Sequence, residues 1–215
     1  MAKTLHKSVP FYPNHLDNNH CAVACYRMIL EDFLDKKMDW SEADKFTGFK
    51  NHKAVWTMEA LLKSVQLGLD IRMIDPFDYQ KYYEIGDGYL KMIWSAEEMA
   101  WQKKHAQPIR RDLIPEFSEK IKREVRSPSL NDLDEMLGEG RLVFLTIDSG
   151  VLNNHRYTSH AVLVIGKTEK FYILHDPGLP GRPNRRVSRE KLWRAMGGKN
   201  NNAEMTGFKL KENDE

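Results

Sequence analysis

The chain has 215 residues, 41% of them hydrophobic and 30% charged, with 33 basic against 31 acidic side chains for a formal net charge of +2. This is ordinary globular usage in a chain long enough to build a core without staples, as one domain or at most two small ones, and it excludes collagen-like and disordered chains. The near balance of charge gives no pull toward nucleic acid or a membrane surface, so neither is expected as a partner.

From the N-terminus, Met1 to Lys7 contain no apolar stretch of signal-peptide length. The longest apolar runs, 21–26 and 161–165, are far shorter than the roughly 20 residues that span a bilayer, so a soluble, cytoplasmic protein is expected. Residues 9–20 hold two prolines and a cluster of Asn and Asp, which predicts an extended entry segment and then a turn. From Cys21 to about Asp35 apolar residues surround most of a helical circumference, predicting a helix buried against several neighbours, capped by Asn18 or Asn19. Val55, Met58, Leu61, Leu62 and Val65 fall at helical spacing and predict a second, amphipathic helix.

Residues 70–128 read as a helical insertion in a single domain spanning 1–215, aromatic-rich and charged, with helical patches near 96–104 and 117–125. Its position between the two halves that carry chemistry makes a lid over a cleft one reading of it. A short helix after Ser129, capped by Ser127 or Ser129, is stopped by Gly138 and Gly140. The period then changes. Runs at 142–147, 161–165 and 171–174 are rich in Val, Ile and aromatics and predict central strands buried on both faces. A helix over 187–196, an edge strand over 205–210 and a frayed charged tail from Lys211 to Glu215 complete an α+β chain, helices first and an antiparallel sheet afterwards.

Cys21 falls on the first turn of the first helix, where unsatisfied amide N–H groups and the positive end of the helix dipole favour a thiolate. Cys25 lies one turn deeper and reads as packing. His160 opens the strand at 161–165, and Asp176 follows the next strand in Leu174-His-Asp-Pro-Gly. A hairpin with its tip at Lys167-Thr-Glu169 sets His160 directly opposite Asp176, with both side chains on one face. A nucleophile, a base to take its proton and a group to orient that base are the parts of nucleophilic acyl transfer.

These segments resemble a known family. Asn19-His-Cys-Ala-Val-Ala-Cys-Tyr-Arg-Met-Ile-Leu is similar to the nucleophile motif of papain-like, bacteriocin-processing (double-glycine) cysteine peptidases and their stand-alone relatives, cysteine peptidase family thirty-nine. Thr158-Ser-His-Ala-Val-Leu-Val-Ile-Gly resembles their base strand, and Tyr172-Ile-Leu-His-Asp-Pro-Gly their third-residue motif. The resemblance covers 9–35 and about 130–195. It implies a papain-like fold with the nucleophile helix packed on a C-terminal antiparallel sheet, and a thiol hydrolase of peptides or amides. Cys21 would be its nucleophile, His160 its base and Asp176 its orienting group. An acyltransferase using the same residues, or a weak or inactive peptide-binding module of the same fold, are the alternatives.

The family carries Gly after the nucleophile where this chain has Ala22, and a Gln about six residues before it where this chain offers Asn14 and His15 as oxyanion donors. Nothing in the sequence calls for a cofactor or a metal. A Cys2His2 site drawn from Cys21, Cys25, His155 and His160 fits zinc-finger spacing poorly. Arg182, Arg185 and Arg186 read as a solvated basic turn, with a clamp for a substrate carboxylate as the other reading. Trp56, Trp94, Trp101, Tyr79, Tyr82 and Tyr83 read as packing of the insertion.

Overall fold

The structure is a computed structural model that describes residues 8–198 and 202–212, so the segment before residue 8 and the tail residues 213–215 lie outside the described residues. In chain order its first half comprises α1 (Cys21–Leu34), α2 (Trp40–Thr47), α3 (Met58–Gln66), β1 (Leu69–Ile74), α4 (Tyr79–Ile85), α5 (Asp87–Ile93), α6 (Ala96–His105), α7 (Ile114–Lys120) and β2 (Lys122–Glu124). The second half comprises α8 (Leu130–Gly138), β3 (Leu142–Asp148), α9 (Ser149–Asn153), β4 (Ser159–Lys167), β5 (Phe171–Asp176), β6 (Arg182–Ser188), α10 (Arg189–Ala195) and β7 (Met205–Leu210).

The seven strands form one sheet in the order β2-β1-β7-β3-β4-β5-β6, antiparallel except for the β1–β2 pair. The chain is therefore α+β, as its pattern of elements predicts. No helix among the described residues is long and apolar enough to cross a membrane.

The uninterrupted apolar runs of β3 and β4 are explained by cover on both sides. Phe144, Ala161 and Leu163 meet the α1 side, while Val143, Leu145, Val162 and Val164 meet Leu133, Met136 and Leu137 of α8 and Leu192 of α10. Helix α1 buries Val23, Ala24, Cys25, Tyr26, Met28, Ile29 and Leu30. Tyr26 reaches Phe208 of β7 edge-on, with ring centroids 5.9 Å apart. Each of the larger aliphatic side chains among them contributes about 1.5–3 kcal/mol by leaving water.

Several expectations are corrected. The strand at 205–210 is not an edge: β7 lies between β1 and β3, because the sheet is extended past it by strands from the supposed helical insertion. That insertion holds α4 to α7, but it opens in β1 and closes in β2, and the helical patch expected over 117–125 ends at Lys120. The helix expected over 187–196 starts only at Arg189, because 182–188 is the edge strand β6, whose polar sequence hid it. Helix α2 was not anticipated, although Asp39 and Glu42 close a reciprocal capping box at its start. Neither Asn18 nor Asn19 caps α1. Asn18 turns the chain in the left-handed region (φ 60°), and the carbonyl oxygen of the Asn14 side chain accepts the His20 N–H at 2.7 Å instead. Helix α8 is capped by Ser129, as expected, in a box with Asp132.

The β4–β5 hairpin departs from the expected pairing in two ways. Its tip is Glu169-Lys170, closed by the Thr168 N–H on the Phe171 carbonyl at 2.7 Å, so Lys167 pairs with Tyr172 and Gly166 with Ile173. A β-bulge then slips the register by one, so that Val164 faces Leu174 and Leu163 faces His175. Asp176 thus sits two residues from direct opposition to His160, yet on the same face, since an even offset preserves the side.

Burial of Phe208 in a central strand makes Phe208→Ala expensive, about 3–5 kcal/mol in urea unfolding. A loss below about 1 kcal/mol would contradict the central placement of β7.

Candidate active site

The entry segment is pinned along the end of the sheet. The Val9 carbonyl accepts from Nε2 of the buried His175 at 3.0 Å, and the Asn14 N–H donates to the Pro177 carbonyl at 2.6 Å. Two residues flanking Asp176 therefore fix where the chain enters α1, and Cys21 begins that helix beside the start of β4.

Cys21 lies close enough to His160 for each to shift the other's proton affinity, and Nε2 of His160 meets Oδ1 of Asp176 at 2.8 Å. With Nε2 held, Nδ1 is the ring nitrogen left to exchange a proton with the thiol. Asp176 is almost fully buried, and three donors surround it: His160, the Gly178 N–H on Oδ1 at 3.0 Å, and Nη1 of Arg185 on Oδ2 at 2.6 Å. Arg185 also donates through Nη2 to the Leu152 carbonyl at 2.7 Å, which fixes its planar fork between α9 and β5. A Cβ on Gly178 would lie 3.1 Å from Oδ1 of Asp176 and 3.5 Å from Nε2 of His160, so close approach requires glycine at that turn.

The electrostatics follow from these contacts. Burial alone would raise the Cys21 thiol, but the hydrogen bond and positive charge of His160, with the N–H groups of Ala161 and Ala22, bring it below its ordinary 9.0. His160 is pushed the other way. Burial opposes its charge, yet Asp176 and Cys21 together raise it from 6.5 to about 10. Burial works against the Asp176 carboxylate, and His160, Arg185 and the Gly178 N–H outweigh it, holding the group far below the usual range. Burial and the nearby Cys21 push Cys25 well above 9.0, in keeping with its reading as packing. The arrangement therefore favours a thiolate–imidazolium pair at neutral pH.

The two residues expected as oxyanion donors, Asn14 and His15, are engaged with the turn before α1 and with α2. The Asn14 side chain accepts from the His20 N–H and donates through Nδ2 to Asn18 at 3.2 Å. The His15 ring packs against His20 and Trp40, with centroids 4.9 and 5.5 Å away. Of the drawn zinc set, His155 turns back to the Arg156 carbonyl at 2.7 Å in an exposed loop. The basic segment at 182–186 is corrected from a solvated turn to part of β6. Arg185 is the member that enters the site, Arg182 donates to Asn153, and Arg186 lies over the Phe171 ring. No sequence pattern picks Arg185 out, because its role depends on the pairing of β5 with β6.

Comparison with models of known protein families gives no match, and comparison with curated protein sequences gives none.

Two outcomes are expected. Iodoacetamide modifies Cys21 near neutral pH and leaves Cys25 untouched in the folded chain; in His160→Ala the onset at Cys21 moves up to the ordinary thiol range. Peptide mass spectrometry across pH 5 to 10 reads both, and equal alkaline-only labelling of the two thiols would refute the pairing. Arg185→Ala leaves the Asp176 carboxylate buried without its cation and lowers stability by about 3–5 kcal/mol in urea unfolding.

Proposed function

We propose that the chain is a thiol-dependent hydrolase of papain-like architecture that cleaves an amide or peptide bond through an acyl-enzyme. The observation that carries this reading is the unbroken chain of contacts from Cys21 through His160 and Asp176 to Arg185, with the thiol acidified and the imidazole made more basic. A thiol at a helix start beside a strand-borne histidine, which is in turn held by a carboxylate on the adjoining strand, supports the family resemblance in 9–35 and 130–195.

In the first step Cys21 Sγ bonds to the carbonyl carbon and the carbonyl electron pair moves to oxygen. As the adduct collapses, the C–N bond breaks and the amine leaves with the His160 proton. His160 then takes a proton from water, the hydroxide adds to the thioester, and the thiolate is expelled. Asp176 keeps the imidazole in one tautomer and orientation throughout, and stabilises it when charged. An amine in place of water would make the same residues an acyltransferase.

A peptide-binding module is the second reading. The hydrogen bonds of the Asn14 side chain to His20 and Asn18 favour it, since they engage that amide within the turn before α1. The two readings separate on acylation. With p-nitrophenyl acetate, the hydrolase gives a burst of p-nitrophenol near one equivalent and an acetyl group on Cys21. Cys21→Ala gives neither, and His160→Ala slows acylation about 10²- to 10⁴-fold. Wild-type protein that acquires no acyl group at Cys21 while retaining its fold would overturn the enzyme and leave the binding module.

A further inference from the structure

Immediately before Cys21 the turn at 14–20 gathers imidazoles around one carboxylate. Nδ1 of His20 lies 2.8 Å from Oδ1 of Asp17, and Nδ1 of His15 lies 3.4 Å from the same oxygen. Nδ1 of His52 approaches the other oxygen, Oδ2, at 2.9 Å. Among the described residues His15, Asp17 and His20 form a group whose ligand atoms all lie within 4.8 Å of one another.

We propose that His15, Asp17 and His20 bind a divalent transition-metal ion of the Zn²⁺ class. The spacing suits it: metal–nitrogen and metal–oxygen bonds of 2.0–2.1 Å at tetrahedral angles put ligand atoms about 3.3 Å apart. The His–Asp contacts at 2.8 and 3.4 Å lie on either side of that value.

The chemistry of His20 points the same way. Its ring is buried, with Nδ1 on Asp17 and Nε2 3.2 Å from Oδ1 of Asp44. A neutral imidazole has one N–H and one lone pair. The acceptor at 2.8 Å draws that N–H to Nδ1; a metal ion taking its place would move the N–H to Nε2, which faces the buried and otherwise unpartnered Oδ1 of Asp44. A proton would serve two atoms. The third ligand distinguishes a metal, because Nδ1 of His15 lies 3.4 Å from the same Asp17 oxygen and the three ligand atoms lie within 4.8 Å of one another.

The supporting shell is already built. Asp44 on the far nitrogen of His20 is the carboxylate–histidine arrangement that orients a ligating ring and raises its basicity. Oδ1 of Asp44 is itself buried and makes no hydrogen bond of good geometry, leaving His20 as its partner. Phe49 stacks on the His20 ring with centroids 3.9 Å apart, and Trp40 packs edge-on at 5.2 Å. His52, held by left-handed backbone at Asn51 and His52 (φ 57° and 52°), steadies the remaining oxygen of Asp17. The ion would lock the turn that delivers Cys21 to His160, and its binding does not depend on what Cys21 does chemically.

Chelator-treated full-length protein titrated with Co²⁺ should give saturable visible d–d bands at one ion per chain, displaced by Zn²⁺, without the near-ultraviolet charge-transfer band of a thiolate ligand. His15→Ala, at a half-exposed position that leaves the fold intact by circular dichroism, should abolish the bands, and Asp44→Asn should weaken binding about 10- to 100-fold. Cys21→Ala should bind as the wild type does. Absence of saturable binding, retention in His15→Ala, or loss in Cys21→Ala would each overturn the site.

Discussion

The structure is organised around one buried negative charge. Asp176 is 3% exposed, and a carboxylate taken that far out of water is tolerable only when its partners are supplied in full. Arg185 neutralises it from β6, the Gly178 amide donates from the following turn, and His160 completes the shell from β4. Each of those donors comes from a different element, so pairing of β4, β5 and β6 is a precondition for burying the charge. The same charge then raises the proton affinity of His160, which acidifies Cys21 across the gap to α1. Fold and site are in this sense one electrostatic problem with one solution.

Local pattern was enough where the determinants are local. Continuous apolar runs revealed β3, β4 and β5, a nearly all-apolar circumference revealed α1, and the Ser129 cap revealed α8. Cys21, His160 and Asp176 could be singled out because residue type and element order together suggest a role. What escaped notice is non-local or amphiphilic. Strand β6, with the sequence Arg-Pro-Asn-Arg-Arg-Val-Ser, is an edge strand whose polar side chains carry no strand signature. The central place of β7 is set by β1, which lies more than a hundred residues earlier and was assigned to a helical region. The His15–Asp17–His20 grouping was invisible for a different reason: a tight turn brings the ligand atoms together at spacings that match no linear motif.

The insertion is joined to the sheet by more than its two strands. Trp56, Phe77, Tyr79, Tyr89 and Trp94 make a continuous aromatic cluster, while Trp101, against His105, and Tyr83 remain half-exposed. Beneath it the buried Asp75 and the half-buried Glu204 lie close enough to repel each other. Burial raises Asp75 to about 6 and, with the nearby Asp75 charge, Glu204 to about 8. Glu204 accepts from the hydroxyls of Thr57 and Thr206 at 2.8 and 3.1 Å, so α3 and β7 meet at a carboxyl group. A raised carboxyl favours folding while it is neutral. Its contribution is complete below the ordinary carboxyl range and disappears as pH climbs through about 6 and then about 8. Stability at this end of the molecule therefore declines toward alkaline pH, whereas the burial of Asp176 weakens only in acid.

The slip between Val164 and Gly166 sets which face each side chain beyond it shares with its partner on β5. On the tip side, odd-numbered Lys167 shares a face with Tyr172 and reaches Asp134 of α8 at 2.9 Å; past the slip, it is even-numbered Val162 and Val164 that line that side. Were the two strands to run without that slip, the carboxylate would emerge on the opposite surface from the imidazole, and Leu163 and Val164 would likewise change faces relative to His175 and Leu174. Parity, not distance, is thus what this hairpin transmits to the chemistry: the deciding residue, Ile165, lies five residues along β4 from His160, roughly 17 Å away at about 3.3 Å per residue.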